Sequence, residues 1–405
     1  MEEVIKNNES LDVDTSSTTQ VDNNEASKIN TPRKSGIELL KIIAIFLIVL
    51  SHVLRTLSGS GSESLLGDWV INFTSQGSGF RNLVLCILQY SGQLGNIIFV
   101  VCSSWFLLDK ETSNKKKLLR IFIDVFVISI IYLICLGAYM GFKTLTIEEI
   151  IKSIFPNYFA ANWFITCYFV FALISPILNK VIKSFSKNTH FVVSLVFFFL
   201  FFIAGFIYGP DSNINCALIV WITIYFIVAY FKLYGQKFCA SKKINIILLL
   251  IGILGIITIT AITYYLGTKI SLLQNATSWS KANSPFFLCI AFGSLNLFNK
   301  TKFTNKFINY ISSLSFLIYI IHDNILFRTY IRPQIWNYIY TNLGYNLLFV
   351  WLLVYTIVLF VVAMLISVLY NVSLRKSIHK LSDKIYQLLV KIINWCQTKL
   401  INIIK

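Results

Sequence analysis

The chain has 405 residues, of which 56% are hydrophobic and only 13% charged, and its mean hydropathy is +0.70. That composition excludes an ordinary soluble domain and points to an all-α, polytopic membrane protein. The net charge of +17 does not call for nucleic acid, because the lysines fall in short loops between apolar runs and report topology instead.

Residues 1–35 hold seven of the 18 acids among Asn, Ser and Thr, a composition that forms no apolar core and predicts a disordered cytoplasmic tail. Its acidic start and the late, long apolar run that follows do not fit a secretory signal. A window of about 20 residues then finds about ten spans. They lie near 37–57, 83–108, 118–139, 160–178, 191–208, 214–231, 244–266, 285–298, 307–330 and 345–370. The eighth is short for a crossing. The loops after the second, fourth, sixth and eighth spans are richer in lysine than those on the other side, which predicts an even number of spans and two cytoplasmic termini. Residues 372–405 repeat Ile378, Leu381, Ile385, Leu388 and Ile392 at helical spacing with lysines between, as in a basic amphipathic helix lying at the interface.

The first span carries the most chemistry. Glu38 and Lys41 lie near its cytoplasmic end and His52 eleven residues further on. Eleven residues are close to three turns, so Lys41 and His52 share a helix face about 16 Å apart and can line one cavity. Ionisable groups at membrane depth are costly and are functional candidates by default. His52 can exchange a proton near neutral pH, as deprotonating a hydroxyl requires, or can simply join helices by a hydrogen bond. His322, followed by Asp323, raises the same two readings in the ninth span; Asp124 in the third reads as one half of a structural ion pair, with a neighbouring lysine as its expected partner. The eight cysteines include no CxxC pair and read as packing residues, and no metal site, phosphate loop or dinucleotide fingerprint is present in the sequence.

The segment Glu38-Leu-Leu-Lys-Ile-Ile-Ala-Ile-Phe-Leu-Ile-Val-Leu-Ser-His52 resembles the first-helix signature of the acyltransferase family 3 membrane proteins, with Lys41 where that family usually has Arg. Three further segments resemble the family in the expected order: Gly95 to Leu108, Asn162-Trp-Phe-Ile-Thr-Cys-Tyr168 with Pro176, and Ser313 to His322. The resemblance covers about 36–371 and implies a transmembrane acyltransferase that moves an acyl group, most often acetyl from acetyl-CoA, to a hydroxyl of a cell-envelope glycan. It implies His52 as the catalytic residue, acting as base or carrying the acyl group, with Glu38, Lys41, Trp163 and His322 in substrate binding. Acyl-CoA would be the donor, a glycan or its lipid-linked precursor the acceptor, and the bacterial cytoplasmic membrane the setting, with glycan-synthesis proteins as partners. Lysine presents a point charge where arginine presents a planar fork, so Lys41 would hold a CoA phosphate or an acid partner in a different geometry. The Lys115, Lys116, Lys117 and Arg120 cluster could add positive potential for CoA at the cytoplasmic mouth, or serve topology alone. Two other classes stay open: a multi-span transporter or exporter of a glycan or small solute, and a sensor or scaffold using the acidic tail.

Overall fold

The computed structural model describes residues 35–58, 79–156, 162–207, 217–267, 269–270, 283–343 and 347–404. Among them there is no strand, and eight helices are long and apolar enough to cross a membrane. The expected tail lies outside the described residues except for Ser35, which is fully buried and opens the first helix.

Helix α1 (Ser35–Arg55) is the hub of the bundle. Against it pack α2 (Gly79–Gln89) and α3 (Ser91–Leu107), two segments of one crossing. Small residues permit the approach: a Cβ on Gly95 would lie 2.4 Å from the Ala44 carbonyl oxygen, and one on Gly92 would lie 2.5 Å from Ser51 Oγ. Helix α4 (Lys115–Met140) follows, its first turn capped by Asn114, then the short α5 (Ile147–Ile154) with a Thr146–Glu149 capping box. Helices α6 (Trp163–Ser184), α7 (Lys187–Phe197, continued by a π turn at Phe198–Ala204) and α8 (Ala217–Tyr234) form one wall. Asn179 of α6 ties that wall to the end of α3, donating to Leu107 O (2.9 Å) and Lys110 O (2.7 Å) while accepting from Tyr225 of α8 (2.6 Å). These bonds satisfy carbonyls that a helix end leaves open.

Helix α9 (Lys242–Leu266) turns Ile247, Leu250, Ile251 and Leu254 outward, as a lipid-facing helix must, and packs its Gly252 face on α10 (Pro285–Asn299). At 15 residues α10 is the short helix expected over 285–298.

The span expected over 307–330 is interrupted. It consists of α11 (Lys306–Ser313), α12 (Ser315–His322), a π turn at Phe327–Ile331 and α13 (Arg332–Leu343). At the second break Asn324 Oδ1 accepts from Leu326 N at 3.0 Å, a local bond that competes with the helical ladder. With α10, this broken segment accounts for the difference between eight long helices and about ten expected spans.

Helix α14 (Leu348–Ser373) completes the bundle and α15 (Arg375–Ile404) runs back beside α4. The junction of these three helices is polar. Asp124, 1% exposed, accepts from Tyr370 Oη (2.9 Å) and Arg375 Nε (3.2 Å) and faces His379 Nε2 (3.2 Å). The expected ion pair is present, with arginine and histidine of the C-terminal helix in place of a lysine.

Candidate functional site

Two breaks in helical regularity create the site. The last turn of α1 brings His52 to the point where α12 stops, and the stop exposes His322, Asp323 and the following π turn to the bundle interior. His52 Nδ1 is 3.0 Å from His322 Nε2, and the rings lie 5.2 Å apart with 26° between their planes. His322 Nδ1 lies 2.8 Å from Ile318 O. A carbonyl oxygen can only accept, so His322 Nδ1 carries the proton, and in the neutral ring Nε2 is a lone pair. That lone pair accepts from His52 Nδ1–H. His52 Nε2 is therefore the unprotonated nitrogen, and it takes no hydrogen bond among the described residues; the side chain is 16% exposed.

Asp323 Oδ1 lies 3.3 Å from His52 Nδ1 and 3.2 Å from Arg332 Nη2. Arg332 is 2% exposed and also donates to the His52 carbonyl (3.2 Å) and the His322 carbonyl (2.6 Å), which are open carbonyls at two helix ends. A charge this deep persists because it is paired with Asp323 and both Nη atoms donate. The arrangement can hold His52 in one tautomer, present Nε2 as a base, and place a carboxylate beside the imidazolium that forms when Nε2 takes a proton.

Tyr319 closes one side, its ring 5.6 Å from His322 and 5.5 Å from Phe164 of α6. Trp163 is farther out: 37% exposed, it stands edge-on to Phe164 at 5.8 Å, with Phe164 and Tyr319 between it and the histidines. Glu38 and Lys41 form a second cluster at the other end of α1. Lys41 Nζ is 3.4 Å from Glu38 Oε1 and 5.0 Å above the Phe106 ring, and Glu38, 1% exposed, accepts from Ser312 of α11 at 2.5 Å. The structure thus brings His52 and His322 together, pairs Glu38 with Lys41 at a distance from them, and leaves Trp163 outside contact with either. In the basic cluster after the second span, Lys116 and Arg120 are engaged by Asp383 of α15 (3.0 and 2.7 Å).

The candidate residues read from the sequence do not include Arg332, which lies two residues past the expected ninth span. One signal was available: the chain has seven arginines against 28 lysines, so an arginine ten residues after an intramembrane histidine stands out.

Residues 34–369 match the family model described as an acyltransferase domain, that of acyltransferase family 3. No curated protein and no solved structure gives a match. A match over most of the chain, joined to an all-helical bundle with paired histidines in its interior, means that the chain belongs to acyltransferase family 3 and is a membrane acyltransferase.

Proposed function

We propose that this protein transfers an acyl group, acetyl being the first candidate, from acyl-CoA to a hydroxyl of a cell-surface glycan or its lipid-linked precursor, in the cytoplasmic membrane of a bacterium with both termini inside. The observation that carries this reading is the free Nε2 of His52, fixed as a base by His322 and backed by Asp323. In the proposed step the acceptor oxygen gives its proton to His52 Nε2 as it attacks the thioester carbonyl carbon. The C–O bond forms, the C–S bond breaks, and the CoA sulfur leaves with the proton that His52 returns. Asp323 offsets the charge on the imidazolium between the two transfers. Glu38 and Lys41 stand at the end of α1 where the anionic part of acyl-CoA would be held, and Trp163 offers a ring at the opposite end for a sugar. Proteins of glycan synthesis are the partners this reaction implies.

The test measures ester-linked acyl groups on the host's surface glycans by mass spectrometry, comparing native protein with His52→Ala at matched membrane abundance. Loss of a general base costs about 10²–10⁴-fold in rate, so the ester is expected to vanish while the glycan is still exported. An unchanged ester would overturn the catalytic role of His52. If instead the glycan or a solute fails to cross, transport takes its place, for which an interrupted helix is equally suited.

A further inference from the structure

The region around His52 is unevenly supplied with charge. Among the described residues Asp323 is the one acid paired with the cluster, and its Oδ1 is shared by His52 and Arg332. A second cation stands above it. Arg328, in the π turn Phe327–Ile331, is 43% exposed and approaches Asp323 Oδ2 only to 3.9 Å, beyond hydrogen-bond distance. Glu149 of α5, which meets the π turn through Tyr330, already accepts from Tyr330 (2.7 Å) and Thr146 (2.9 Å), and Lys152 also faces it. Among the described residues Arg328 and Arg332 therefore share one carboxylate.

On the α13 and α14 side of the cluster, three buried donors are unmatched among the described residues. Arg332 Nε, Tyr355 Oη and Trp351 Nε1 are buried with no hydrogen-bond partner, and each carries a proton to donate. Arg332 is 2% and Tyr355 5% exposed. Tyr355 is tied to the end of α1 through Trp336, which stands edge-on to it at 5.4 Å and donates to Val53 O beside His52 (3.0 Å). Trp351 lies one turn away on the same face of α14. Buried donors without acceptors call for an oxygen-rich ligand, and a guanidinium that only shares a carboxylate can take a further anion.

Resting on the acyl-transfer reading above, we propose that the acceptor is anionic, with a carboxylate or phosphate near the hydroxyl it presents, and that Arg328 recognises that charge. An arginine at this depth can also reach a lipid phosphate. The 3.9 Å approach of Nη1 to Asp323 Oδ2 ties Arg328 to the cluster around His52 and favours the acceptor.

The experiment uses the whole protein in its host at matched membrane abundance: native, His52→Ala, and Arg328→Lys, →Gln and →Glu. Surface glycans are separated by anion exchange, and the His52-dependent ester is located by mass spectrometry, with mass and phosphorus content separating uronate from phosphodiester polymers. The ester is expected in the anionic fraction. It should fall about tenfold in Arg328→Gln, further in Arg328→Glu, and less in Arg328→Lys, an order a merely structural role would not give. A His52-dependent ester on a neutral glycan overturns the proposal, as does equal ester in all Arg328 forms, which would leave Arg328 a lipid contact. Absence of any His52-dependent ester in the native comparison defeats acyl transfer to glycans itself, and is read before any Arg328 variant is compared.

Discussion

His52 has two neighbours that do different work, and substitutions should separate them. In the proposed step His322 sets the tautomer through Nε2, while Asp323 meets the charge that develops. Asp323→Asn keeps the shape and removes the charge, so transfer is expected to slow roughly 10²-fold while His52 stays in place. Initial rates of acyl transfer in proteoliposomes, at equal protein and with CoA release followed, would check this; a rate within twofold of native would remove Asp323 from the mechanism. Arg332→Lys is expected to act on stability first. A lysine cannot bridge two carbonyls and a carboxylate at once, and the loss of a buried paired fork costs about 3 kcal/mol, visible as a lower unfolding midpoint in detergent. At this scale the sequence was partly legible. Histidines inside apolar runs announce themselves, and the order of Glu38, Lys41 and His52 placed them on one helix. Apart from the rarity of arginine in this chain, nothing in the sequence marks Arg332, because its burial depends on a helix break ten residues earlier, and an arginine next to a proline ordinarily reads as a loop residue.

At the scale of elements, the contact of α1 with α3 depends on the absence of a side chain. Gly95→Val would drive a branched Cβ toward the Ala44 carbonyl oxygen and Ile48, so a loss of roughly 1–3 kcal/mol is expected, read as reduced membrane abundance and a lowered melting temperature. The helix count shows where hydropathy misleads. Residues 307–330 form one apolar run by composition, yet Asn324 accepts a local backbone bond and the chain bends into a π turn, so one expected crossing becomes a broken one. Helix α15 lies outside the crossing segments and is held by charge. Hydrogen bonding from Arg120, and next from Lys116, keeps the Asp383 carboxyl down at about 2. Because the docked value is below the ordinary carboxylate value of about 4, the contact contributes in full above pH 4 and is lost as pH falls from about 4 toward 2. Fluorescence of Trp395 in nanodiscs should thus stay level from pH 8 to 5 and change near the lower limit. Asp383→Asn should give the released signal at neutral pH, and an unchanged signal in that variant would show that apolar contacts hold the helix alone.

For the molecule as a whole, the composition and the lysine-rich loops sufficed for a polytopic bundle, because a bilayer leaves a chain this apolar few alternatives. The joining of distant segments was not legible, since it depends on single polar residues meeting across the fold. Asp124 is the example: its partners Tyr370, Arg375 and His379 follow it by roughly 250 residues. Asp124→Ala would leave a buried tyrosine hydroxyl and an unpaired arginine at the meeting point of α4, α14 and α15. The expected result is a cost of about 3 kcal/mol and earlier unfolding of the C-terminal helix, measurable by hydrogen exchange.

The bonds of α1 carry a consequence for movement. At its first residue Ser35 is tied to the α11 segment, donating to Asn309 (2.9 Å) and receiving from Asn305 N (2.7 Å), and Glu38 is tied to Ser312. At its last turn Arg332 and Trp336 hold the carbonyls of His52 and Val53. Fastened to the same stretch of chain at both ends, α1 and the interrupted segment from α11 to α13 form a single lever arm. The opposite wall of α6, α7 and α8 meets the arm through aromatic faces such as Phe164 on Tyr319. Aromatic faces slide where hydrogen bonds must break, so displacement is expected at that wall before it is expected within the arm.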